Sequence, residues 1–267
     1  MSEPLKFYDN TYGNFSESIL REVRNEAFGM DIGQNSWLTY NEHLKFILHL
    51  RANPQSRVLE VACGSGRPAL RMAEVSGARV VGIDINEKGI NTAKELARAM
   101  NLDSRVQFQV ADGSKSLPFD DESFDSLICV DSINHLPDRA SVLHEWHRIL
   151  KQDGRLLFTD PITVTGIVSN IEIAIRSSIG FFLFTPPGVD EIVLKESGFD
   201  LLDKEDSTSN MEIVAKRWHD ARSKRREALV KIEGEAEYEG LQKFLEVTHT
   251  LAREKRLSRF TYLAKRL

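Results

Sequence analysis

The residues best placed to bind a ligand form a glycine-rich loop, Glu60-Val61-Ala62-Cys63-Gly64-Ser65-Gly66. Gly64 and Gly66 let the chain turn sharply and let a ligand approach the backbone. A β-rich run precedes the loop and a helix is predicted after it, so the unpaired N–H groups of the first helical turn lie beside the loop. This combination predicts a nucleoside- or nucleotide-binding site.

The loop alone does not distinguish between nucleotides. Its continuation, Gly64-Ser65-Gly66-Arg67-Pro68-Ala69, fits the G-x-G-x-x-G/A pattern of dinucleotide-binding folds. Asp84 follows about 20 residues later, where such folds carry the acid that binds a ribose. An NAD-dependent oxidoreductase is therefore one alternative that the loop leaves open.

Three acidic residues favour a different ligand. Glu60 lies near the end of the first predicted strand, Asp84 closes the second, and Asp112-Gly113 closes the third. A carboxylate at Glu60 suits an ammonium group, one at Asp84 can accept both ribose hydroxyls, and one at Asp112 can meet an adenine amino group. Several carboxylates in a partly desolvated cleft repel phosphate. The pattern therefore favours a cationic sulfonium nucleoside over a polyanionic dinucleotide.

His135 is the predicted general base, because it comes just after the fourth predicted strand and its imidazole titrates near neutral pH. A histidine that only shapes the loop is the alternative. Its neighbours Asp131 and Asn134 are predicted to bind an amine or a hydroxyl of the substrate. His144 and His147 lie three residues apart on a predicted helix, but no second pair of ligands accompanies them, so no metal site is predicted.

The elements that must position these residues begin at Arg57, where β-rich runs start to alternate with helical segments. The predicted strands lie at residues 57–62, 79–84, 106–110, 124–130 and 154–160, with a sixth from 199 and a last at 259–264. Strands that are separated by single helices imply a parallel sheet covered on both faces. The pattern therefore predicts an α/β protein with a doubly wound sheet.

Helical segments flank this core. We predict one structural domain with three parts: an N-terminal helical lid at 1–55, the ligand-binding half of the core at 56–161, and the remainder at 162–267, with cap insertions at about 162–185 and 209–257. Insertions at one end of a parallel sheet commonly build the ligand site. The first insertion is apolar but interrupted by residues such as Arg176, and the second is charged and helical in period over 210–255. The first is predicted to be a lid over the substrate, or else a helix pair in the core or at a dimer contact.

Composition excludes several classes of protein. The 267 residues are 41% hydrophobic and carry a formal net charge of -5, which suits a globular domain and disfavours nucleic acid as a partner. Cys63 and Cys129 lie in apolar stretches, as expected of reduced thiols. Met1-Ser2-Glu3-Pro4 lacks the features of a signal peptide, and no apolar run reaches the roughly 18 residues of a membrane span. We therefore expect a cytoplasmic monomer or homodimer that binds neither nucleic acid nor membrane.

Over residues 57–161 the chain resembles the class I S-adenosylmethionine-dependent methyltransferases, in particular those that act on small molecules. The glycine loop resembles their first motif, Val81-Gly82-Ile83-Asp84 their ribose motif, and Gln109-Val110-Ala111-Asp112 their adenine motif. The segment 124–138 is similar to their fourth motif. The resemblance implies a Rossmann-like, seven-stranded, mostly parallel sheet whose last strand, at 259–264, is antiparallel.

The resemblance also implies which residues contact the cofactor. Similar enzymes fold a segment such as 28–37 over the carboxylate end of the cofactor, which adds Gln34 and Trp37; an ordinary helix cap with a buried tryptophan is the alternative. Ala62 stands where many members have glycine. The full implied set is Gln34, Trp37, Glu60, Ala62, Gly64, Gly66, Asp84, Ile85, Asp112, Gly113 and Val130.

The implied reaction is transfer of a methyl group to N, O or C of a small-molecule acceptor, with S-adenosyl-L-homocysteine as the second product. The donor carries the activated group, so the protein mainly aligns and desolvates the reactants. The bulky second half of the chain favours an enclosed acceptor, predicted to contact Asp131, Asn134 and His135. A non-catalytic cofactor-binding protein on the same fold is the second alternative.

Overall fold

A seven-stranded sheet forms the centre of the molecule. The computed structural model describes Tyr8, Tyr12 and residues 17–267. The strands are β1 Arg57–Val61, β2 Arg79–Asp84, β3 Val106–Val110, β4 Phe124–Cys129, β5 Leu150–Val164, β6 Phe199–Asp206 and β7 Leu257–Arg266. They lie in the order β3-β2-β1-β4-β5-β7-β6, and β7 runs antiparallel to both of its neighbours. The predicted α/β sheet with an antiparallel last strand is confirmed.

Helices connect the strands and cover the sheet. Within the described residues they are α1 Ser18–Phe28, α2 Tyr40–His49, α3 Arg67–Ser76, α4 Glu87–Ala99, α5 Arg139–Ile149, α6 Asn170–Arg176, α7 Val189–Glu196, α8 Thr208–Ser223, α9 Arg226–Glu233 and α10 Glu235–Arg253, with a turn of 3-10 helix at Ile133–His135. Side chains cap several of them: Asn86, for example, accepts a hydrogen bond from the Gly89 N–H at the start of α4.

Alternate residues of the central strands point into two apolar layers. Val58 of β1 and the residues that point the same way from the neighbouring strands, such as Val80 and Ile128, pack with helices α2, α3 and α4 on one face. Leu59 and the residues that point the same way from the neighbouring strands, such as Leu127, pack with α5 and α7 on the other face, where Trp146 is fully buried. Burial on both faces explains why these strands read as continuous apolar runs in the sequence. The sheet is thus a rigid base, and its exposed carboxyl edge can carry a site.

The second half departs from the predicted boundaries in two places. The helical pattern over 210–255 is not one long helix but three, because the chain breaks at Lys224-Arg225 and again at Gly234, whose φ of 91° suits glycine. β5 continues through a register shift to Val164, so the first insertion begins as strand rather than helix. The rest of that insertion holds the short α6 and returns to the sheet through a bridge between Thr163 and Thr185.

The N-terminal and C-terminal helical segments pack on each other. α1, α8 and α10 share an apolar cluster that includes Phe28, Trp37 and Phe244. Met1-Ser2-Glu3-Pro4 and most of the first 16 residues of the predicted lid lie outside the described residues. The division of the chain into lid, core half and cap therefore stays a prediction. Among the described helices, none has both the length and the apolar character needed to cross a bilayer.

Candidate active site

A cavity of about 290 Å³ opens at the carboxyl ends of β1, β2, β3 and β4. β1 lies between β2 and β4, so the chain leaves the first strand toward one edge and later returns to its other side. Ligands of open α/β sheets bind at such a switch point. The cavity wall contains most of the predicted site residues: Gln34, Glu60, Ala62, Gly64, Asp84, Ile85, Asp112, Gly113, Val130, Asp131 and His135.

The two loop glycines have different roles. Gly64 lies on the cavity wall with φ of 53°, and its N–H donates a 2.8 Å hydrogen bond to Asp84 Oδ2. Gly66 has φ of 76° and does not line the cavity. A Cβ on Gly66 would come within 2.5 Å of the Phe108 ring and 2.6 Å of Ala93. Gly66 therefore lets α3 pack closely on β3 and α4, behind the site.

Asp84 ends β2 as an acceptor held in place by the backbone. Its Oδ1 accepts a hydrogen bond from the Asn86 N–H at 2.8 Å, and its Oδ2 accepts the one from Gly64. Burial raises the pKa of Asp84, while these backbone hydrogen bonds act in the opposite direction. Each carboxylate oxygen has two lone pairs, so each can accept one more donor. Two neighbouring hydroxyls of a ribose are donors of the right kind.

Glu60 is the least satisfied acid of the site. Its side chain is 5% exposed, and Oε2 has no hydrogen-bond partner in the part of the chain that the structure describes. Burial and the nearby Asp84 raise the pKa of Glu60 to about 8. A buried acceptor without a donor is costly unless a ligand supplies one. An ammonium group fits this requirement, so Glu60 suits the methionine end of the predicted cofactor.

His135 is held as a neutral imidazole. Its Nδ1 lies 2.7 Å from the Phe181 carbonyl oxygen; a carbonyl only accepts, so Nδ1 carries the proton. Nε2 then presents its lone pair and lies 3.4 Å from the Tyr8 hydroxyl. Burial lowers the pKa of His135, and the charge of Arg176 adds to this effect. The ring is thereby prepared to accept a proton at Nε2.

Asp131 reaches the cavity wall, but its carboxylate is already bonded within the protein. Oδ1 accepts hydrogen bonds from Thr159 Oγ1 at 2.7 Å and from Arg259 Nε at 2.6 Å. Oδ2 accepts the Trp37 N–H at 2.8 Å, and Arg259 continues the network to Glu42 at 2.6 Å. This geometry does not favour the predicted contact with a substrate amine or hydroxyl. Asp131 instead connects the segment before α2 to the sheet, through its hydrogen bonds with Trp37 and Thr159.

Three of the predicted site residues do not line this cavity: Trp37, Gly66 and Asn134. The Trp37 ring is stacked with Phe244 at a centroid distance of 6.2 Å, in the apolar cluster of α1, α8 and α10. The Asn134 side chain is fully buried without a hydrogen-bond partner in the described structure, and its backbone oxygen accepts the Leu183 N–H at 2.8 Å. Of the three, Trp37 lines a second cavity described below.

Sequence reasoning missed two aromatic residues of the cavity wall, Tyr8 and Tyr12. Their rings lie 6.2 Å apart, and a Cβ on Gly64 would come within 2.6 Å of the Tyr12 hydroxyl. Burial raises the pKa of both phenols well above the usual value, so both remain hydrogen-bond donors at neutral pH. Their spacing of four residues, typical of one face of a helix, was the available signal.

A second cavity of about 50 Å³ adjoins the first on the side away from Glu60. Both cavities are lined by Tyr8, Asn35, Ser36, Asp131 and His135, so His135 lies at their junction. The far walls of the second cavity are mainly aromatic and come from the cap: Ile179, Phe182, Trp218, Leu241 and Phe244. Among the described residues, no group of His, Cys, Asp and Glu could hold a metal ion.

Several known proteins are similar in sequence to this chain. Residues 52–176 match the family model described as a methyltransferase domain. Methyltransferase GfsG of Streptomyces halstedii is 35% identical over 156 residues, which cover 56% of this chain and 55% of that protein. The 27-O-demethylrifamycin SV methyltransferase of Amycolatopsis mediterranei is 39% identical over 123 residues, which cover 46% and 44%. The matched region thus spans about half the length of these curated relatives.

Solved structures share the fold over the whole chain. Phosphoethanolamine N-methyltransferase 2 of Haemonchus contortus, in complex with S-adenosyl-L-methionine, has a TM-score of 0.82 at 20% identity and covers 100% of this chain and 60% of that one. The [4+2]-cyclase SpnF has a TM-score of 0.76 at 21% identity and covers 98% and 94%. The core of the chain, residues 52–176, thus resembles a methyltransferase domain, and its fold is shared with these solved structures. The wall formed by Glu60, Gly64 and Asp84 fits S-adenosyl-L-methionine, the ligand of the Haemonchus contortus structure.

Proposed function

We propose that this protein transfers a methyl group from S-adenosyl-L-methionine to a nucleophilic N, O or C of a small molecule that binds beside His135. One observation carries the proposal: a single cavity joins the unsatisfied Glu60 carboxylate, suited to the cofactor, to the neutral His135 imidazole. Relatives support a small acceptor, since their names refer to a rifamycin, to phosphoethanolamine and to sterols.

The residues of the wall divide into two groups. Glu60 would bind the ammonium of the cofactor, Asp84 its ribose hydroxyls, and Asp112 the adenine end. When bound, S-adenosyl-L-methionine supplies a methyl group that is already activated on a sulfonium. The protein then has to hold the acceptor in line with that group and exclude water, which accounts for most of the acceleration in such reactions.

His135 would remove the proton of an acceptor hydroxyl or amine. Nδ1–H is fixed on the Phe181 carbonyl, so Nε2 can accept the proton while the ring keeps its orientation. The Tyr8 hydroxyl lies beside the same nitrogen and would guide the acceptor toward it. General-base catalysis typically contributes about 10²- to 10⁴-fold in rate. An acceptor that needs no deprotonation would not depend on this step.

The test has two stages, because the fold also occurs in a protein described as a cyclase. Calorimetry with S-adenosyl-L-homocysteine and with NAD should show binding of the former only. Transfer of a radiolabelled methyl group is then screened over small amines, phenols and sugars. NAD binding in place of S-adenosyl-L-homocysteine would support the oxidoreductase alternative. Cofactor binding without transfer to any acceptor would support a non-catalytic protein.

A further inference from the structure

Arg176, the last residue of α6, is a fully buried cation. None of its three guanidinium nitrogens has a hydrogen-bond partner in the described part of the chain, and it forms no ion pair there. A guanidinium carries five N–H donors and is almost never buried without acceptors. Burial lowers the pKa of Arg176 only to about 10, so the side chain stays charged at neutral pH. Some group beyond the described residues is needed to satisfy it.

The immediate surroundings of Arg176 do not supply that group. Its Cζ lies 4.5 Å from the centroid of the Phe244 ring and 5.2 Å from that of Phe182. Cation–π contacts offset part of the cost of burying the charge, but the rings accept no hydrogen bond from the in-plane N–H groups. Asp131 attracts the guanidinium electrostatically, yet both Asp131 oxygens are bonded to other donors.

The position of Arg176 relates it to the reaction centre. Arg176 lines the second cavity, which meets the first at His135. The Phe182 ring lies between the two side chains, 4.6 Å from the His135 ring and 5.2 Å from Arg176 Cζ. The guanidinium is therefore one aromatic ring beyond the predicted base. An acceptor that reaches from the first cavity into the second would bring its far end to Arg176.

We propose that Arg176 binds an anionic group of the methyl acceptor, a carboxylate or a phosphate monoester. This inference rests on the proposed function, because it names the class of molecule that the second cavity takes. A planar guanidinium matches either anion through paired N–H···O hydrogen bonds. The aromatic walls formed by Trp37, Trp218 and Phe244 exclude water, so the ion pair would be strong and selective against neutral acceptors.

Two matched variants test the proposal on the unliganded protein. Arg176→Met keeps the length of the side chain and removes an unpaired charge, so the melting temperature should stay the same or rise. Arg222→Met is the control: Arg222 is also buried, and stacks on Tyr238 at 5.1 Å, but it pairs with Glu233 at 2.8 Å. The control should melt at a lower temperature. If Arg176→Met lost as much stability as the control, Arg176 would be a structural cation and the proposal would be wrong.

Binding provides the second readout. Calorimetry on the protein saturated with S-adenosyl-L-homocysteine uses inorganic phosphate and acetate as probes, with chloride at equal ionic strength as the blank. Wild type and Arg222→Met should bind at least one anion, and Arg176→Met should bind it about 10- to 100-fold more weakly. The anion that binds more tightly, phosphate or acetate, indicates whether the acceptor carries a phosphate monoester or a carboxylate. Equal affinities in wild type and Arg176→Met, or no binding of either anion to wild type, would overturn the proposal.

The methyl-transfer screen provides a third readout. Acceptors that carry a carboxylate or phosphate should be preferred, and their kcat/KM should fall in Arg176→Met while cofactor affinity is unchanged. A best acceptor without an anionic group would contradict the inference and leave the methyltransferase proposal intact. Failure of S-adenosyl-L-homocysteine to bind at all would instead contradict the proposed function.

Discussion

At the residue scale, Glu60 has the clearest consequence for cofactor binding. Its pKa of about 8 means that the carboxyl group is largely protonated at pH 7 without ligand. An ammonium ligand favours the ionised form, so binding should release a proton, and affinity for S-adenosyl-L-homocysteine should rise from pH 6 to pH 8 and then level off. In Glu60→Gln the affinity should fall about 10- to 100-fold and lose this pH dependence. Calorimetry in buffers of different ionisation enthalpy measures both effects.

The same substitution should stabilise the unliganded protein. The pKa of Glu60 is higher in the folded state than the ordinary value of 4.5, so the folded state binds the proton more tightly than the unfolded state. Stability from this group is therefore present below about pH 4.5 and is lost as pH rises through about 8. Glu60→Gln should raise the melting temperature at pH 8 and not at pH 4. A variant that melted lower at every pH would indicate a structural role for Glu60.

The pKa of His135 is shifted in the opposite direction to that of Glu60, because burial holds it below the ordinary value. The neutral, basic form therefore persists below pH 6.5, and the rate should fall only at more acidic pH. In His135→Ala, kcat should fall about 10²- to 10⁴-fold for an acceptor that must lose a proton, with cofactor affinity unchanged. Turnover equal to wild type, with cofactor still bound, would leave His135 as a residue that only shapes the loop.

The sequence predicts some of these residues and not others for a physical reason. Glu60, Asp84 and Asp112 can be placed because each lies at or just beyond the carboxyl end of a strand, and the ends of parallel strands meet at one edge of the sheet. The partners of Asp131 cannot be read in this way, since Thr159 is 28 residues away and Arg259 is 128 residues away. Arg176 likewise appears in the sequence as a polar interruption of an apolar segment, and only the three-dimensional structure shows that it shares a cavity with His135.

At the element scale, the buried network of Arg259 joins β7 to α2 and to the loop after β4. Arg259 is fully buried and bonds to Asp131 and Glu42, both at 2.6 Å. Arg259→Met leaves both carboxylates buried without their cation, and we expect the free energy of unfolding to fall by about 3–5 kcal/mol. Denaturant titration measures this loss. Lys243→Met, at an exposed pair with Glu246, serves as the control and should change little.

The outline of the elements follows from periodicity, whereas their ends depend on packing. The strands and helices of the core can be predicted because apolar residues recur at the period of each element. The pattern over 210–255 keeps a helical period through both breaks, so it does not show that the chain folds back. Gly234 is the one local sign of a break. The extension of β5 to Val164 depends on pairing with β7, nearly a hundred residues further along the chain.

At the scale of the whole molecule, two distant parts of the chain build the cap together. Lys224 and Arg225, at the end of α8, pair with Glu26 of α1, about two hundred residues earlier. An amphipathic helix shows which face is buried but not which helix covers it. The sequence therefore predicts that a cap exists, and its arrangement over the second cavity comes from the structure alone. On the proposed function, the cap would set the acceptor.

The cavity wall also brings together segments that are far apart in sequence. Cofactor binding should therefore raise the free energy of unfolding. Tyr8 and Tyr12 both line the cavity, and Tyr12 lies against the loop residue Gly64, but neither belongs to the two apolar layers that enclose the sheet. S-adenosyl-L-homocysteine at 100 times its Kd should add about 2.7 kcal/mol of stability. The double variant Tyr8→Ala/Tyr12→Ala removes two largely buried rings, so its unliganded melting temperature should fall, and its affinity is measured well below that temperature. It should bind S-adenosyl-L-homocysteine about 10-fold or more weakly, because two large aromatic surfaces are lost from the wall. Calorimetry and thermal melts measure these two quantities separately, and unchanged affinity would show that the tyrosines serve the acceptor alone.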